Sequence, residues 1–359
     1  MKFKVISFKC EGCGGPLRFN PATNSLKCDF CGNIERIELK KGRVEAYPLE
    51  SGLRLIDNKK VDSREVKCIR CGASFTLAYD MVSSNCPYCT TPAITEFIKP
   101  IKPNSLIPFA ITPKEAQSRF KSWVGSLWFA PTRLKEFVDG NKKLTALYLP
   151  YWAFNANAYS RYSGERGDIY FVTVQRRVVV NGREQIVYEQ EPRIRWTPVR
   201  GDVSNSFRDL EVSATKILPI DLLESLSPWN ITSLIPFNLK YLLGFVSREY
   251  TIELRDGFNR AKRKMEIVID RTIRRDIGGD QQKIHYKDTK YSDEEYKNVL
   301  FPLYTAEFKW KGEDYIYLIN GQSGKVVGQR PYSIIKITLL VVTIIAILAV
   351  AVYIDTHSR

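Results

Sequence analysis

The residues best equipped for chemistry in this chain are cysteines. Its 359 residues include eight Cys but two His, so a histidine base or a His-rich metal site is a poor starting point. All eight cysteines lie in the first 89 residues as four C-x2-C pairs: Cys10/Cys13, Cys28/Cys31, Cys68/Cys71 and Cys86/Cys89. Each half reads C-x2-C-x14-C-x2-C, and the second half repeats the first at an offset of 58 residues. Four thiolates at this spacing suit tetrahedral Zn²⁺, with Zn–S bonds of about 2.3 Å. Gly14, Gly32 and Gly72 follow three of the knuckles and permit a tight turn. Thr90 takes that place in the fourth, where a less regular turn is expected. A closed four-thiolate site has no open coordination position. The expected cofactor is therefore two structural zinc ions, which supply most of the folding free energy of such small modules. Disulfides need an oxidising compartment, and thioredoxin-like use of C-x2-C needs a βαβ context. Rubredoxin-like iron uses similar knuckles, and the spacing alone does not separate it from zinc.

The doubled motif resembles the zinc-ribbon family over residues 8–33 and 66–91. Leu17, Phe19 and Leu26 alternate loosely with polar residues between the first two pairs, as a short hairpin does.

No other group of residues forms a convincing catalytic constellation, and no catalytic residue is assigned. Residues 321–328 (GQSGKVVG) superficially resemble a phosphate loop. The glycines are too close, and Val326 stands where a Mg²⁺-binding hydroxyl belongs, so a hairpin turn is expected. Gly164-Glu165-Arg166-Gly167 is expected to be a tight turn between strands. His285 lies in the polar stretch KIHYKD with no Cys, Asp or Glu at ligand spacing and is expected to be a surface or strand histidine, and His357 lies beyond the apolar stretch 334–354 and is not expected to act.

The elements that would carry these residues follow from periodicity. Residues 334–354 (IIKITLLVVTIIAILAVAVYI) hold one charge, Lys336. As a helix they measure about 31 Å, close to the hydrocarbon thickness of a bilayer. Tyr332 and Tyr353 sit where interfacial aromatics belong. The N-terminal MKFKVISFKC has no apolar core of a signal peptide. Lys325, Arg330 and Lys336 outweigh Asp355 and Arg359 across the span, which places the large N-terminal part in the cytoplasm. That side also keeps thiols reduced.

Between the cysteines and the span, Pro100, Pro103, Pro108 and Pro113 suggest a stiff linker. Thr112-Pro113-Lys114-Glu115 reads as a capped helix start, and Ser292–Glu295 as a second capping box. Residues 145–196 are strand-like, with Asn181-Gly182 as a type I′ hairpin signal. Phe258, Ala261, Met265, Ile269, Ile273 and Ile277 recur every three or four residues, and Gly278-Gly279 closes that helix. Its other faces carry Arg260, Lys262, Arg263, Lys264, Arg271, Arg274 and Arg275. These are candidates for contact with anionic headgroups; a merely solvated face and nucleic-acid contact are the other readings.

The expected architecture is multi-domain. It comprises two small β zinc ribbons (1–40 and 62–98), a proline-rich linker (99–112), an α+β domain (113–329), one C-terminal transmembrane helix (334–354) and a short tail (355–359).

The formal charge is +15. Thiolate ligation of two Zn²⁺ lowers it to about +11. Residues 101–359 carry 38 basic and 28 acidic residues, so most of the surplus belongs to the part tied to the membrane. No nucleic-acid-binding signature is visible, and most aromatics fall inside strand patterns. A membrane is therefore the favoured partner, with nucleic acid the second.

LYLPYWAF, YSGERG, RRDIGGDQQ and LINGQSGKVVGQRPYS resemble blocks of an uncharacterised bacterial family with N-terminal zinc ribbons and often a C-terminal membrane helix. Its members are commonly labelled as similar to the zinc-binding part of primosomal helicase or to a transcription-factor-type ribbon. Some are linked to phage-shock-type and flotillin-like membrane-stress systems. The resemblance implies a scaffold or recruitment role, with protein partners, rather than an enzyme. No helicase motif accompanies it.

Overall fold

The computed structural model describes residues 2–38, 44–55, 62–139, 144–180 and 183–357. The first 100 residues are built from short strands: β1 (Lys2–Phe3), β2 (Leu17–Asn20), β3 (Ser25–Cys28), β4 (Ile34–Arg36) and β5 (Tyr47–Pro48), the short helix α1 (Leu49–Leu53), then β6 (Ser63–Lys67), β7 (Ser74–Ala78), β8 (Met81–Asn85) and β9 (Pro92–Ile94). Strands β2, β3 and β4 form an antiparallel sheet around the first cysteine group. The second group does not keep to itself. Strand β6 pairs with β7 and, in parallel, with β1 at the very start of the chain, while Ile6 bridges to Ile94. The first few residues thus belong to the second module.

The segment expected to act as a linker is instead packed into the protein. Strand β10 (Ser105–Leu106) lies in the large sheet, and Leu106, Ile107 and Phe109 are buried. The prolines alternate with apolar side chains there, and burying those side chains outweighs the preference for an extended spacer. Helix α2 (Pro113–Ser126) follows with the expected cap: the Glu115 N–H donates to Thr112 Oγ1 at 3.3 Å and the Thr112 N–H to the Glu115 carboxylate at 2.6 Å. Helix α3 (Thr132–Asp139) folds back beside it.

The centre is dominated by three long strands: β11 (Thr145–Val180), β12 (Arg183–Ser213) and β15 (Gln281–Trp310). Between the second and third lie α4 (Ile220–Ser225), β13 (Ile235–Pro236), β14 (Val246–Arg248) and α5 (Leu254–Ile277). Strands β16 (Glu313–Asn320) and β17 (Val326–Gly328) complete a sheet of 11 strands among the described residues, and α6 (Ile334–His357) is the last described element. Strand β11 pairs antiparallel with β12 on one side and β15 on the other. Its 36 residues correspond to about 120 Å of strand. Ladder β11–β15 ends at Gly167↔Gln281, so residues 168–180 and 183–195 continue as a two-stranded arm. The expected hairpin at Asn181-Gly182 lies outside the described residues, although Val180 pairs with Arg183 across it.

Two expected local features are overturned within this sheet. Gly164–Gly167 is not a turn but mid-strand. A Cβ at Gly164 would lie 2.1 Å from the Lys283 carbonyl oxygen, at a register shift, so the glycine serves close backbone approach. Gly167 sits under the Trp196 ring, where a Cβ would come within 2.8 Å. Likewise Ser292–Glu295 lies inside β15. Asp293 adopts φ 50° at a second register shift opposite Asn155, and Asp209 adopts φ 50° on the other flank. Asn155 accepts the Asp209 N–H at 2.8 Å and donates to Glu295 at 2.8 Å, which ties both irregular sites to one side chain.

Helix α5 lies across this sheet and buries Phe258, Ala261, Met265, Ile269, Ile273 and Ile277, as its periodicity predicts. Gly278, at φ 66°, ends it. Helix α6 continues through Asp355–His357, which the sequence assigned to a tail. Residues 334–351 are long and apolar enough to cross a membrane, and none of that stretch is buried in the protein.

Candidate metal centres

Each group of four cysteines is assembled by two turns of the same design. In every turn the N–H of the fifth residue donates to the carbonyl of the first cysteine, and that cysteine's N–H donates to the sixth residue's carbonyl. For the first turn these are Gly14→Cys10 at 2.8 Å and Cys10→Gly15 at 2.8 Å. The pattern recurs at Cys28, Cys68 and Cys86 with distances of 2.8 to 3.1 Å. The fifth residue must be left-handed: φ is 71° at Gly14, 72° at Gly32, 74° at Gly72 and 59° at Thr90. The expectation of a less regular fourth turn is therefore corrected. Thr90 makes the same two bonds, Thr90→Cys86 at 2.9 Å and Cys86→Thr91 at 2.9 Å, at a conformation a β-branched residue adopts at a cost.

The turns bring Cys10, Cys13, Cys28 and Cys31 into one group and Cys68, Cys71, Cys86 and Cys89 into another. Within each group all four sulfurs lie within 4.8 Å of one another. The shortest separations are 3.5 Å for Cys13–Cys28, 3.6 Å for Cys10–Cys31 and for Cys68–Cys89, and 3.8 Å for Cys71–Cys86. A tetrahedron with 2.3 Å metal–sulfur bonds has an edge of about 3.8 Å. A disulfide needs about 2.05 Å. The donor set thus fits one thiophilic metal ion per group, consistent with zinc.

Electrostatics point the same way. Hydrogen bonds from the Cys31 and then the Phe30 N–H hold the Cys28 thiol down to about 7. The Thr91 hydroxyl and then its N–H hold Cys89 down to about 6. Cys31 moves the other way: the Asn33 N–H favours its thiolate, but Cys13, burial, Cys10 and Cys28 together push it up to about 12. At Cys71 the Ala73 N–H favours the thiolate, but burial and the three sulfur neighbours together push it up to about 11. Four crowded thiols share negative charge badly, and a central dication removes that conflict.

The two groups are held together and to the large sheet. Arg18 on β2 donates to Asp29 at 2.6 Å within its own module, to Asn85 at 2.9 Å, and to the Thr90 carbonyl in the other module's last turn. Asn85 in turn donates to the Gly244 carbonyl at 3.2 Å. Strand β8 of the second module pairs with β14 and so enters the large sheet. Beneath it, Arg64 is fully buried. It forms an ion pair with Glu249 and donates to the Tyr79 carbonyl at 2.9 Å, to Thr95 at 3.1 Å and to the Glu96 carbonyl at 2.7 Å. Glu249 also accepts the N–H groups of Ile98 at 2.6 Å and Lys99 at 2.9 Å. Burial nevertheless pushes its carboxyl above the usual range. Nothing in the local sequence marks Arg64, whose partner is 185 positions away.

A cleft of about 420 Å³ opens between the two metal groups. Cys13, Gly14 and Phe30 line it from one module, and Ile69, Arg70 and Pro92 from the other. Phe30 and Ile69 are exposed, and the Arg70 guanidinium lies 4.4 Å from the Phe30 ring centroid. These knuckle residues were not singled out by spacing arguments, which select only the ligands.

The seven candidate basic residues of α5 differ in exposure and pairing. Lys262 is half-buried against the Phe258 and Tyr291 rings, and Lys264 pairs with Glu224 at 3.3 Å and donates to the Glu211 carbonyl at 3.1 Å. Arg274 donates to the Gln282 carbonyl at 2.9 Å, and Arg260 is half-buried. Arg263, Arg271, Arg274 and Arg275 are exposed. His285 lies 3.6 Å from Glu165, alongside Lys283.

Comparison with known proteins adds one relationship. The chain is similar to YdjG, an uncharacterised protein of Bacillus subtilis, with 28% identity over 344 residues, which is 92% of this chain and 91% of that one. No protein-family model matches the chain, and no solved structure matches it.

Proposed function

We propose that this protein is a membrane-anchored adaptor. Its two metal centres are zinc ribbons that present a docking surface for a protein partner. The α+β body links them to a tail anchor, with the ribbons on the cytoplasmic side. The setting that fits best is membrane organisation or a membrane-stress response. The carrying observation is the cleft between the two metal groups, lined by exposed Phe30 and Ile69. Apolar and aromatic groups around a concave surface are what protein partners anchor to. A closed set of four thiolates gives such a surface rigidity without catalytic chemistry. The buried Arg64–Glu249 pair fastens the second ribbon to the body, so a partner docked there is held in a fixed relation to it.

The test separates metal from surface. Full-length protein is solubilised from membranes and its partners are captured, comparing wild type with Phe30→Ser/Ile69→Ser and with Cys10→Ser/Cys68→Ser. The surface variant is expected to keep two zinc ions and lose its partners. Retention of the same partners by both variants refutes docking through the ribbons.

A further inference from the structure

The root of α6 is fastened to one particular turn. The Leu127 carbonyl accepts the Ala130 N–H at 3.2 Å, which closes a turn between α2 and α3 with Trp128 and Phe129 at its crest. From the helix side, the Ser333 N–H donates to the Phe129 carbonyl at 2.8 Å and Lys336 Nζ donates to the Ala130 carbonyl at 2.7 Å. Ser333 immediately precedes the apolar stretch and Lys336 is its third residue. The turn therefore sits level with the point where that stretch begins.

Turn crests in water favour Gly, Asn, Asp and Ser. This one carries Trp128, which is 77% exposed, whereas the other five tryptophans are buried or half-buried. The turn is rigidly seated. Val124 and Leu134, on the helices either side of it, are buried, and Phe120 packs on Tyr317 with ring centroids 5.1 Å apart. Lys121 on α2 and Arg133 and Glu136 on α3 are exposed on the helices that flank it, and exposed Arg330 lies 5.9 Å from the Trp123 ring centroid on α2. Tyr332, also exposed, lies next to Ser333. An exposed aromatic with an apolar body and a polar N–H, on a turn between helices that carry basic side chains, has the chemistry suited to the headgroup layer of a bilayer.

We propose that the Leu127–Ala130 turn is a second membrane contact, with the Trp128 indole seated in the headgroup layer of the bilayer that α6 enters. The occupant is lipid because the surface is continuous with the root of the apolar helix. This rests on the reading that α6 crosses a membrane. Two attachment points in place of one hinge would fix the tilt of the sheet and so the position of the metal centres. Helix α5 packs its apolar side on β11 and β12, while α2, which leads into the turn, packs on β17 and on Tyr317 of β16.

The full chain is reconstituted into phosphatidylcholine vesicles containing phosphatidylglycerol, with lipids brominated either high or low on the acyl chain. Emission of Trp128 is taken as wild type minus Trp128→Phe. Shallow bromine is expected to quench it at least about twofold and deep bromine less, as for a ring at the interface. An Ile345→Trp substitution in the Trp128→Phe chain reports on the span. If that reporter is quenched by deep bromine while Trp128 is quenched by neither lipid, the turn does not touch the membrane and the proposal falls alone. If the reporter at 345 is unquenched, the span and this contact fall together.

Discussion

The fourth knuckle offers a measurable test of why glycine stands in the other three. Gly14, Gly32 and Gly72 have no neighbour within 4 Å of where a Cβ would lie, so crowding does not select glycine there. What remains is φ, between 71° and 74° at all three, with Thr90 at 59°. An L-residue in the left-handed region costs about 1–2 kcal/mol, more for a β-branched side chain than for Asn. Thr90 is exposed, and its contact with Arg18 uses the backbone carbonyl, which glycine keeps. Thr90→Gly therefore recovers the conformational cost and loses about 0.5–1 kcal/mol to the freer unfolded chain. The net expected gain is about 0.5–1 kcal/mol, or a two- to fivefold tighter second metal site. Gly72→Thr in the same site should weaken it by a comparable or larger factor. Competition of the full chain in detergent against a chromophoric Zn²⁺ chelator measures both. If Thr90→Gly weakens the site while Gly72→Thr leaves it unchanged, backbone conformation is not what these positions select.

Three further outcomes are expected, two from packing and one from the cysteine groups. Glu249→Gln leaves Arg64 buried without its counter-charge, and should cost about 3–5 kcal/mol; denaturant unfolding of the detergent-solubilised protein measures it, and a cost below 1 kcal/mol would show that the Tyr79 and Glu96 carbonyls suffice for Arg64. Gly257→Ala gains helix propensity but drives a Cβ to 2.4 Å from Trp152, so a net loss of about 1–3 kcal/mol is expected where propensity alone predicts a gain; thermal unfolding decides between the signs. Elemental analysis of freshly purified reduced protein should find two zinc ions per chain, and strong chelation should expose the thiols of both groups to an alkylating reagent; iron in place of zinc would overturn the choice of metal.

Features with a local cause were legible in the sequence. The cysteine spacing, the cap at Thr112, the stripe on α5 and the apolar run of α6 each depend on residues within a few turns of one another. The strand character of residues 145–196 was legible too, but the uninterrupted length of the strands was not, because their punctuation is ambiguous. A glycine that accommodates the Lys283 carbonyl resembles a turn glycine, and an Asp at an irregular point in a ladder resembles part of a helix cap. Both are resolved only by a partner strand over 100 positions away. For the same reason the apolar residues between the prolines of 99–112 gave no sign of joining the large sheet. Of the candidate sites, the ligands were legible, whereas Arg18, Arg64 and the exposed Phe30 and Ile69 acquire meaning only once the two modules meet.

The span of the β11–β15 ladder has a consequence for how the chain is made. Thr145 pairs with Thr305, so the centre of the sheet closes a loop of 160 residues. Hairpin β11–β12 is local and is complete when Ser213 emerges, but β15 ends at Trp310, 97 residues later. At about 5–20 residues per second the ribosome takes roughly 5–20 s to supply it. Throughout that interval one flank of β11 is an open hydrogen-bonding edge on a growing chain. The apolar helix follows soon after, so the body has little time to close before that helix appears. A chaperone acting on this protein would be needed most in that interval, and ribosome-bound chains stalled between residues 213 and 310 are where its occupancy should be sought.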